Sequence, residues 1–276
     1  MAYTAEISRS NPSCFLFLID QSRSMSDPFS NLTKSHAVAD AVNRLLHDLC
    51  LKCAKSEGVR DYFHVGVIGY GASVGPAFGG ALSGREFVPV SDVERNPLRI
   101  EDRTKKVADG AGGLIEQTVK FPVWFDPVAD DGTPMAEALA QGKGVLRTWL
   151  AAHPGCYPPI VVNITDGEPN PGSDPAGEAR QIMGLSSADG NVLLYNIHIS
   201  SLNANPVMFP DSSSGLPDQY ARFLFDISSV LPGQTQAIAR QQGFHVTENS
   251  RGFAFNADMV QLISFLDIGT RPVNMR

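Results

Sequence analysis

The sequence predicts an α/β fold, a doubly wound and mainly parallel sheet flanked by helices. Three observations point there. Short apolar runs of strand length recur at Cys14–Ile19, Phe63–Gly69, Ile160–Thr165 and Val192–Ile199, the pattern of central strands covered on both faces. Segments with apolar residues at a 3.6-residue period lie between them, and strands alternating with helices build a parallel sheet. Two of the runs stop at an aspartate, Asp20 and Asp166, followed at once by small polar or turn residues.

Residues 1–12 read as a short extension, and 13–276 as one domain with elaborations at about 70–120 and 203–217. After the first strand, a helix is expected from about Leu32 to Ser56. Its Val38, Val42, Leu45, Leu46, Leu49 and Cys53 form one stripe, and Gly58 stands where a C-terminal cap belongs. Beyond the strand at Phe63–Gly69 the pattern loosens. A strand is expected at Glu86–Val90, weak helix at Arg103–Val107, a Gly-rich turn at Gly110–Gly113 and an extended piece at Phe121–Phe125 broken by Pro122.

Regular structure resumes at Thr133-Pro134, which pairs a capping hydroxyl with proline at the first helical position. Met135, Leu139, Gly142, Leu146 and Trp149 form the inner stripe of that helix. Asp174-Pro175 opens another helix ending near Gly184, and a polar connection covers Asn203–Pro217. Helices are then expected at Asp218–Ser228 and Thr235–Gln242, followed by a strand at Gly252–Phe255. A last helix carries Val260, Leu262, Ile263, Phe265 and Leu266.

Composition narrows the function. The 276 residues are 43% hydrophobic and 18% charged with a formal charge of −7, which argues against a reader of nucleic-acid phosphates. No run approaches the roughly 18 apolar residues of a membrane span. The first apolar run is too short, and its flank too poor in basic residues, for a signal peptide. Four cysteines do not suggest a disulfide framework, so a cytoplasmic protein is expected.

In doubly wound sheets ligands sit at the carboxyl ends of strands, where the strand order reverses. If the strands ending at Asp20 and Asp166 are neighbours, both carboxylates meet at one mouth. An extended turn would then point Asp20, Ser22 and Ser24 to one side, offering an anionic oxygen and two hydroxyls. Hard divalent cations prefer such oxygen donors, and the lack of thiolate and imidazole in the group disfavours zinc or copper.

Asp20-Gln21-Ser22-Arg23-Ser24-Met25, Asp131-Gly132-Thr133-Pro134-Met135 and Ile164-Thr165-Asp166-Gly167-Glu168 resemble, in order and separation, the three parts of the metal-ion-dependent adhesion site of von Willebrand factor A (VWA) domains. The resemblance runs from about residue 13 to 270 and implies the Rossmann-like VWA fold. It implies that Ser22, Ser24 and Thr133 give oxygens to a divalent metal, while Asp20 and Asp166 coordinate directly or through water. Magnesium is the expected ion, with manganese or calcium as alternatives. The family pattern leaves one position for a carboxylate of a partner protein; the sequence departs from it at Gln21 and Arg23, where many members carry small residues.

The chain looks most similar to compact, stand-alone bacterial members of the tellurite-resistance-associated type. That likeness implies intracellular signalling or stress response beside a kinase/phosphatase or AAA-type ATPase system. The expectation is a non-enzymatic interaction module; the alternative is a metal-dependent hydrolase or phosphoryl-transfer enzyme.

Other signals are read as structural. Gly71-Ala72-Ser73-Val74-Gly75 matches the G-x-S-x-G elbow, but no helix follows it. His47, Cys50 and Cys53 share a helix face without a fourth ligand and read as core. His198 reads as a core histidine, Asp126, Asp130 and Asp131 as solvated loop charges, and Trp124 and Phe125 as loop anchors.

Overall fold

The structure, a computed structural model, describes residues 3–108, 113–202 and 204–270. Ten strands and seven helices carry the architecture. In chain order the strands are β1 (Ser13–Asp20), β2 (Phe63–Tyr70), β3 (Val74–Pro76), β4 (Val88–Pro89), β5 (Arg99–Ala108), β6 (Leu114–Val123), β7 (Ile160–Thr165), β8 (Leu193–His198), β9 (Val207–Met208) and β10 (Phe253–Phe255). The helices are α1 (Lys34–Cys53), α2 (Val90–Arg95), α3 (Met135–Ala152), α4 (Pro175–Met183), α5 (Gln219–Asp226), α6 (Gly233–Gln241) and α7 (Met259–Thr270). Two-residue strands pair in tight hairpins on either side of α1.

The main sheet runs β9-β10-β8-β7-β1-β2-β3, with β4 also on β2. Every pairing among β2, β1, β7, β8 and β10 is parallel, and the antiparallel strands sit at the rims. The chain steps from β1 to β2 on one side and later returns to lay β7 on the other. The strand order therefore reverses between β1 and β7, as a doubly wound sheet requires.

The alternation of β1 explains the layers. Phe15, Phe17 and Ile19 pack into one cluster with Val38, Val42 and Leu46 of α1 and Leu262 and Phe265 of α7. Cys14, Leu16 and Leu18 face the other way, against Leu139 and Leu146 of α3, Ile182 of α4 and Leu224 of α5. All eight residues of β1 are buried, so the apolar run serves both faces at once.

Several local expectations change. The helix expected from Leu32 to Ser56 is confined to Lys34–Cys53, and Gly58 (φ +115°) sits in the small hairpin that follows instead of capping it. The strand expected at Glu86–Val90 shortens to Val88–Pro89, because α2 begins at Val90. Arg103–Val107, expected as weak helix, lies in β5, which pairs along its full length with β6. Pro122 does not interrupt β6; it pairs opposite Ile100 in a two-stranded ribbon separate from the main sheet, where a missing N–H is tolerated. Most of the Gly110–Gly113 turn lies outside the described residues.

Trp124 and Phe125 are buried anchors, as expected. Asn43 of α1 accepts from the Trp124 N–H at 2.8 Å and donates to the Phe125 carbonyl at 3.1 Å, while Trp124 Nε1 donates to the Val93 carbonyl at 2.6 Å. Cys50 and Cys53 are buried. Gly71–Gly75 forms the turn from β2 into β3, with no helix after it. No helix of the described residues is long and apolar enough to cross a membrane.

Candidate metal centre

β1 and β7 are direct neighbours, Ile19 pairing with Ile164, so the turns after them open side by side at the reversal point. The chain folds as a doubly wound α/β sheet, and its mouth is where such sheets bind ligands. Asp20 is completely buried there. Its Oδ1 accepts from the Ser22 N–H at 2.8 Å, and its Oδ2 accepts from the Thr165 hydroxyl at 2.6 Å. Thr165 Oγ1 in turn accepts from the Gly167 N–H at 3.0 Å. One carboxylate thus ties the two turns together.

The D-x-S-x-S stretch is not extended throughout. Ser22 is (φ −66°, ψ 162°), but Arg23–Ser26 close into a 3₁₀ turn. The result still gathers the hydroxyls, with Ser22 Oγ and Ser24 Oγ 3.1 Å apart. Ser22 is buried behind and Ser24 is exposed in front. Arg23 points to solvent, while its N–H donates to the Asp131 carbonyl at 2.9 Å. Gln21 donates its N–H to the Tyr70 carbonyl and accepts from the Asp130 N–H, both at 2.7 Å. A side chain at Gly71 would place its Cβ 2.6 Å from the Gln21 carbonyl oxygen and 2.8 Å from that of Asp130.

Thr133 was expected to cap α3 with its hydroxyl. The residue preceding α3 is Pro134, and no side-chain cap bond forms. Asn170 instead clasps the Thr133 backbone, accepting from its N–H at 2.8 Å and donating its own N–H to its carbonyl at 3.0 Å. Thr133 is 8% exposed and lines an open cleft of about 650 Å³ together with Ser24 and Asp166. Asp20 and Ser22 stand behind that cleft.

Asp166 is tethered on both sides. His198, paired with Thr165 across β7 and β8, donates from Nε2 to the Asp166 carbonyl at 2.7 Å. This leaves His198 Nδ1 as a buried nitrogen without a partner among the described residues, and burial lowers the histidine's pKa. A Cβ on Gly167 (φ +108°) would meet His198 Nε2 at 2.7 Å, so glycine is required there by both conformation and space.

Electrostatically the mouth is under tension. Burial first, and the neighbouring Asp166 second, push the Asp20 carboxyl up to about 6, against hydrogen bonds from Ser22 and Thr165 that pull it down. An acid with a raised folded pKa costs stability at neutral pH, and the cost disappears as pH falls from about 6 towards 3.8. Two carboxylates and three hydroxyls, all oxygen, fit a hard divalent cation that would relieve that repulsion. Among the described residues no group of three His, Cys, Asp or Glu side chains could hold a metal, so hydroxyls are indispensable to such a site. Of the acidic loop, Asp126 pairs with Arg99 at 2.6 Å.

Sequence reasoning missed Thr165, Asn170 and above all Lys34. The Lys34 ammonium lies 3.2 Å from Asp166 Oδ2 and 3.3 Å from Asp27 Oδ2. The available signal was a lysine in the first turn of the predicted helix, where the helix dipole disfavours a cation.

No protein-family model matches the chain, and no curated protein matches its sequence. Similar solved structures include proximal thread matrix protein 1 of the mussel byssus, at 17% identity and TM-score 0.49, covering 96% of this chain and 48% of that one. A manganese-loaded TRAP protein of Plasmodium vivax shares 14% identity at TM-score 0.45 over 95% of this chain and 74% of its own. The pilus adhesin SpaC of Lactobacillus rhamnosus GG shares 13% identity at TM-score 0.49 over 95% and 30%. The chain therefore spans about half of the mussel protein and under a third of the pilus adhesin. The chemistry of the site rests on its own atoms.

Proposed function

We propose that the mouth between β1 and β7 is a divalent-cation site of VWA type through which this protein binds a carboxylate of a partner protein. Asp20, Ser22, Ser24, Thr133 and Asp166 would hold the ion, magnesium being the expected one. The observation that carries the reading is convergence. Three segments far apart in sequence bring an all-oxygen donor set to the reversal point, with one buried carboxylate joining two of the turns.

When bound, the cation supplies a Lewis-acidic position for a ligand oxygen. The chain's residues do the rest. Asp20 holds the Ser22 backbone and Thr165 hydroxyl in place, Asn170 fixes Thr133, and His198 fixes the Asp166 backbone. The cleft beside them is large enough for a side chain and its flanks. What supports binding over turnover is that the histidine of this cleft, His198, is 2% exposed with Nε2 committed to a backbone carbonyl, so it is poorly placed as a general base. A cytoplasmic, tellurite-resistance-associated role beside a kinase/phosphatase or AAA-type ATPase system is the biological setting that the motif resemblance suggests.

The test is thermal unfolding of wild type and Asp20→Asn with chelator, then with Mg²⁺, Mn²⁺ or Ca²⁺. At ~100 times the dissociation constant the ion should add about 2.7 kcal/mol to the wild type, a shift of several degrees. Asp20→Asn should lose that shift and, with the buried charge gone, unfold about 2 °C or more above metal-free wild type. No response of the wild type to any of the three ions would overturn the reading.

A further inference from the structure

Lys34 is oddly placed for a lysine. Its side chain is 3% exposed, and desolvating an ammonium is expensive unless it is well paired. It also opens α1, where the positive end of the helix dipole opposes it. What offsets both costs is a pair of carboxylates. Asp166 Oδ2 lies 3.2 Å from Nζ and Asp27 Oδ2 3.3 Å, and the Lys34 N–H donates to the Asp27 carbonyl at 3.0 Å.

The two carboxylates differ in kind. Asp166 is 8% exposed at its side chain and belongs to the proposed metal site; Asp27 is 48% exposed and lies at the outer lip. Lys34, Asp27 and Asp166 all line the same cleft as Ser24 and Thr133. The ammonium therefore spans from the donor set to a carboxylate outside it.

We propose that Lys34 is a built-in competitor of the metal: its ammonium holds Asp166 in the metal-free protein and yields that oxygen, retaining Asp27, when a divalent ion binds. This deepens the metal-site reading and rests on it. An ammonium and a metal ion cannot both neutralise one carboxylate without repelling each other, so the lysine raises the concentration of ion needed to fill the site. It also favours doubly charged ions, since a monovalent one brings no more charge than the ammonium it displaces. Asp27 is the resting place that makes the exchange reversible.

The experiment is calorimetric titration of the full chain with MgCl₂ and MnCl₂, together with thermal unfolding in chelator. Lys34→Met keeps most of the length of the unbranched side chain and removes its charge. It should tighten metal binding on the order of tenfold, as removal of a nearby like charge predicts, while lowering the midpoint of the metal-free protein because Asp166 loses its partner. A purely structural lysine would produce the second effect without the first, and metal binding equal to or weaker than wild type would overturn the proposal.

Asp27→Asn provides an independent arm should Lys34→Met fold poorly. It should weaken metal binding in the wild type by leaving the ammonium with Asp166 alone; unchanged affinity would overturn the proposal. In the Lys34→Met background its effect should shrink, because the two residues act through one exchange. If no ion binds wild type, the metal-site reading itself falls. If wild type binds and Lys34→Met binds no better, only the competitor role falls.

Discussion

Two polar assemblies sit within a few residues of each other in the central sheet, and they are built on opposite principles. At the mouth, Asp20 and Asp166 are crowded together, and burial and repulsion push Asp20 up to about 6. Deeper in the sheet runs a neutral chain. Tyr70 Oη donates to Asn163 Oδ1 at 2.7 Å, and Asn163 Nδ2 donates to Asn196 Oδ1 at 2.9 Å. Asn196 Nδ2 donates to Ser228 Oγ at 2.9 Å, and Ser228 donates to the Leu224 carbonyl at 2.7 Å.

Asn163 and Asn196 are fully buried, yet each donates to and accepts from a neighbour in the chain. Satisfied neutral groups cost little and help to define one packing. Crowded carboxylates at an open cleft are costly, which is what marks the mouth as the candidate site. The chain stitches β2, β7, β8 and the end of α5 together; the mouth above it has charge to spare.

The sharpest break of this contrast is Asn163→Leu, which removes the middle of the neutral chain while keeping the branching and the number of side-chain heavy atoms. Tyr70 Oη and Asn196 Oδ1 would be left buried and unpaired, at roughly 1–3 kcal/mol each. Urea unfolding should show a midpoint loss corresponding to about 3 kcal/mol with little change in slope, while metal affinity of the folded protein stays within about threefold. Loss of affinity in step with stability would make the chain part of the site.

A smaller effect is expected from Gly71→Ala. Its Cβ would press on the Gln21 and Asp130 carbonyl oxygens at 2.6 and 2.8 Å, costing roughly 1–3 kcal/mol. Because Gln21 lies inside the turn proposed to bind the metal, affinity should fall as well; full affinity in a destabilised protein would show that the turn is positioned without Gly71.

The smallest effect lies at the opposite end of β2. His64 Nδ1 accepts from Trp149 Nε1 at 2.9 Å, which requires that nitrogen to be unprotonated. Burial, then repulsion from His153, holds the His64 pKa below its ordinary 6.5. The unfolded chain binds the proton more readily, so this contribution to stability is intact above about 6.5 and declines as pH falls below it. Asp20 acts with the opposite sign in an overlapping window, so the comparison belongs in an Asp20→Asn background. There, His64→Phe should flatten the acid-side decline of the unfolding midpoint between pH 6.5 and 5; an unchanged slope would remove His64 from the account.

The sheet was legible because its central strands are written as apolar runs with no polar face, and the helices because their stripes repeat. The β5–β6 ribbon was not legible. Its sequence, RIEDRTKKVA against LIEQTVKFPV, is polar enough to resemble loop or weak helix, and what makes it a ribbon is each strand finding the other. Much of its surface is exposed, with Ile100 60% and Ile115 53% accessible. The end of α1 was misplaced for a similar reason: Gly58 is a plausible cap in sequence, but pairing of residues 54–55 with 58–59 closes the helix earlier.

By itself the sequence determined the fold class and the two strands that end in aspartate, while the grouping of Asp20, Ser22, Ser24, Thr133 and Asp166 is what the motif resemblance implies and what we propose. Periodicity, apolar runs and the order of short motifs are local properties, and local properties can be read along a chain. Only the tertiary structure decided that Asp20 bonds Thr165, that Asn170 holds Thr133, that His198 holds Asp166 and that Lys34 stands between Asp166 and Asp27. Each of those links joins residues 32 to 145 positions apart or crosses between elements, apart from the short step to Asp27. Such partners are selected by distance and desolvation once strands and helices have packed, and no spacing rule in the sequence encodes them.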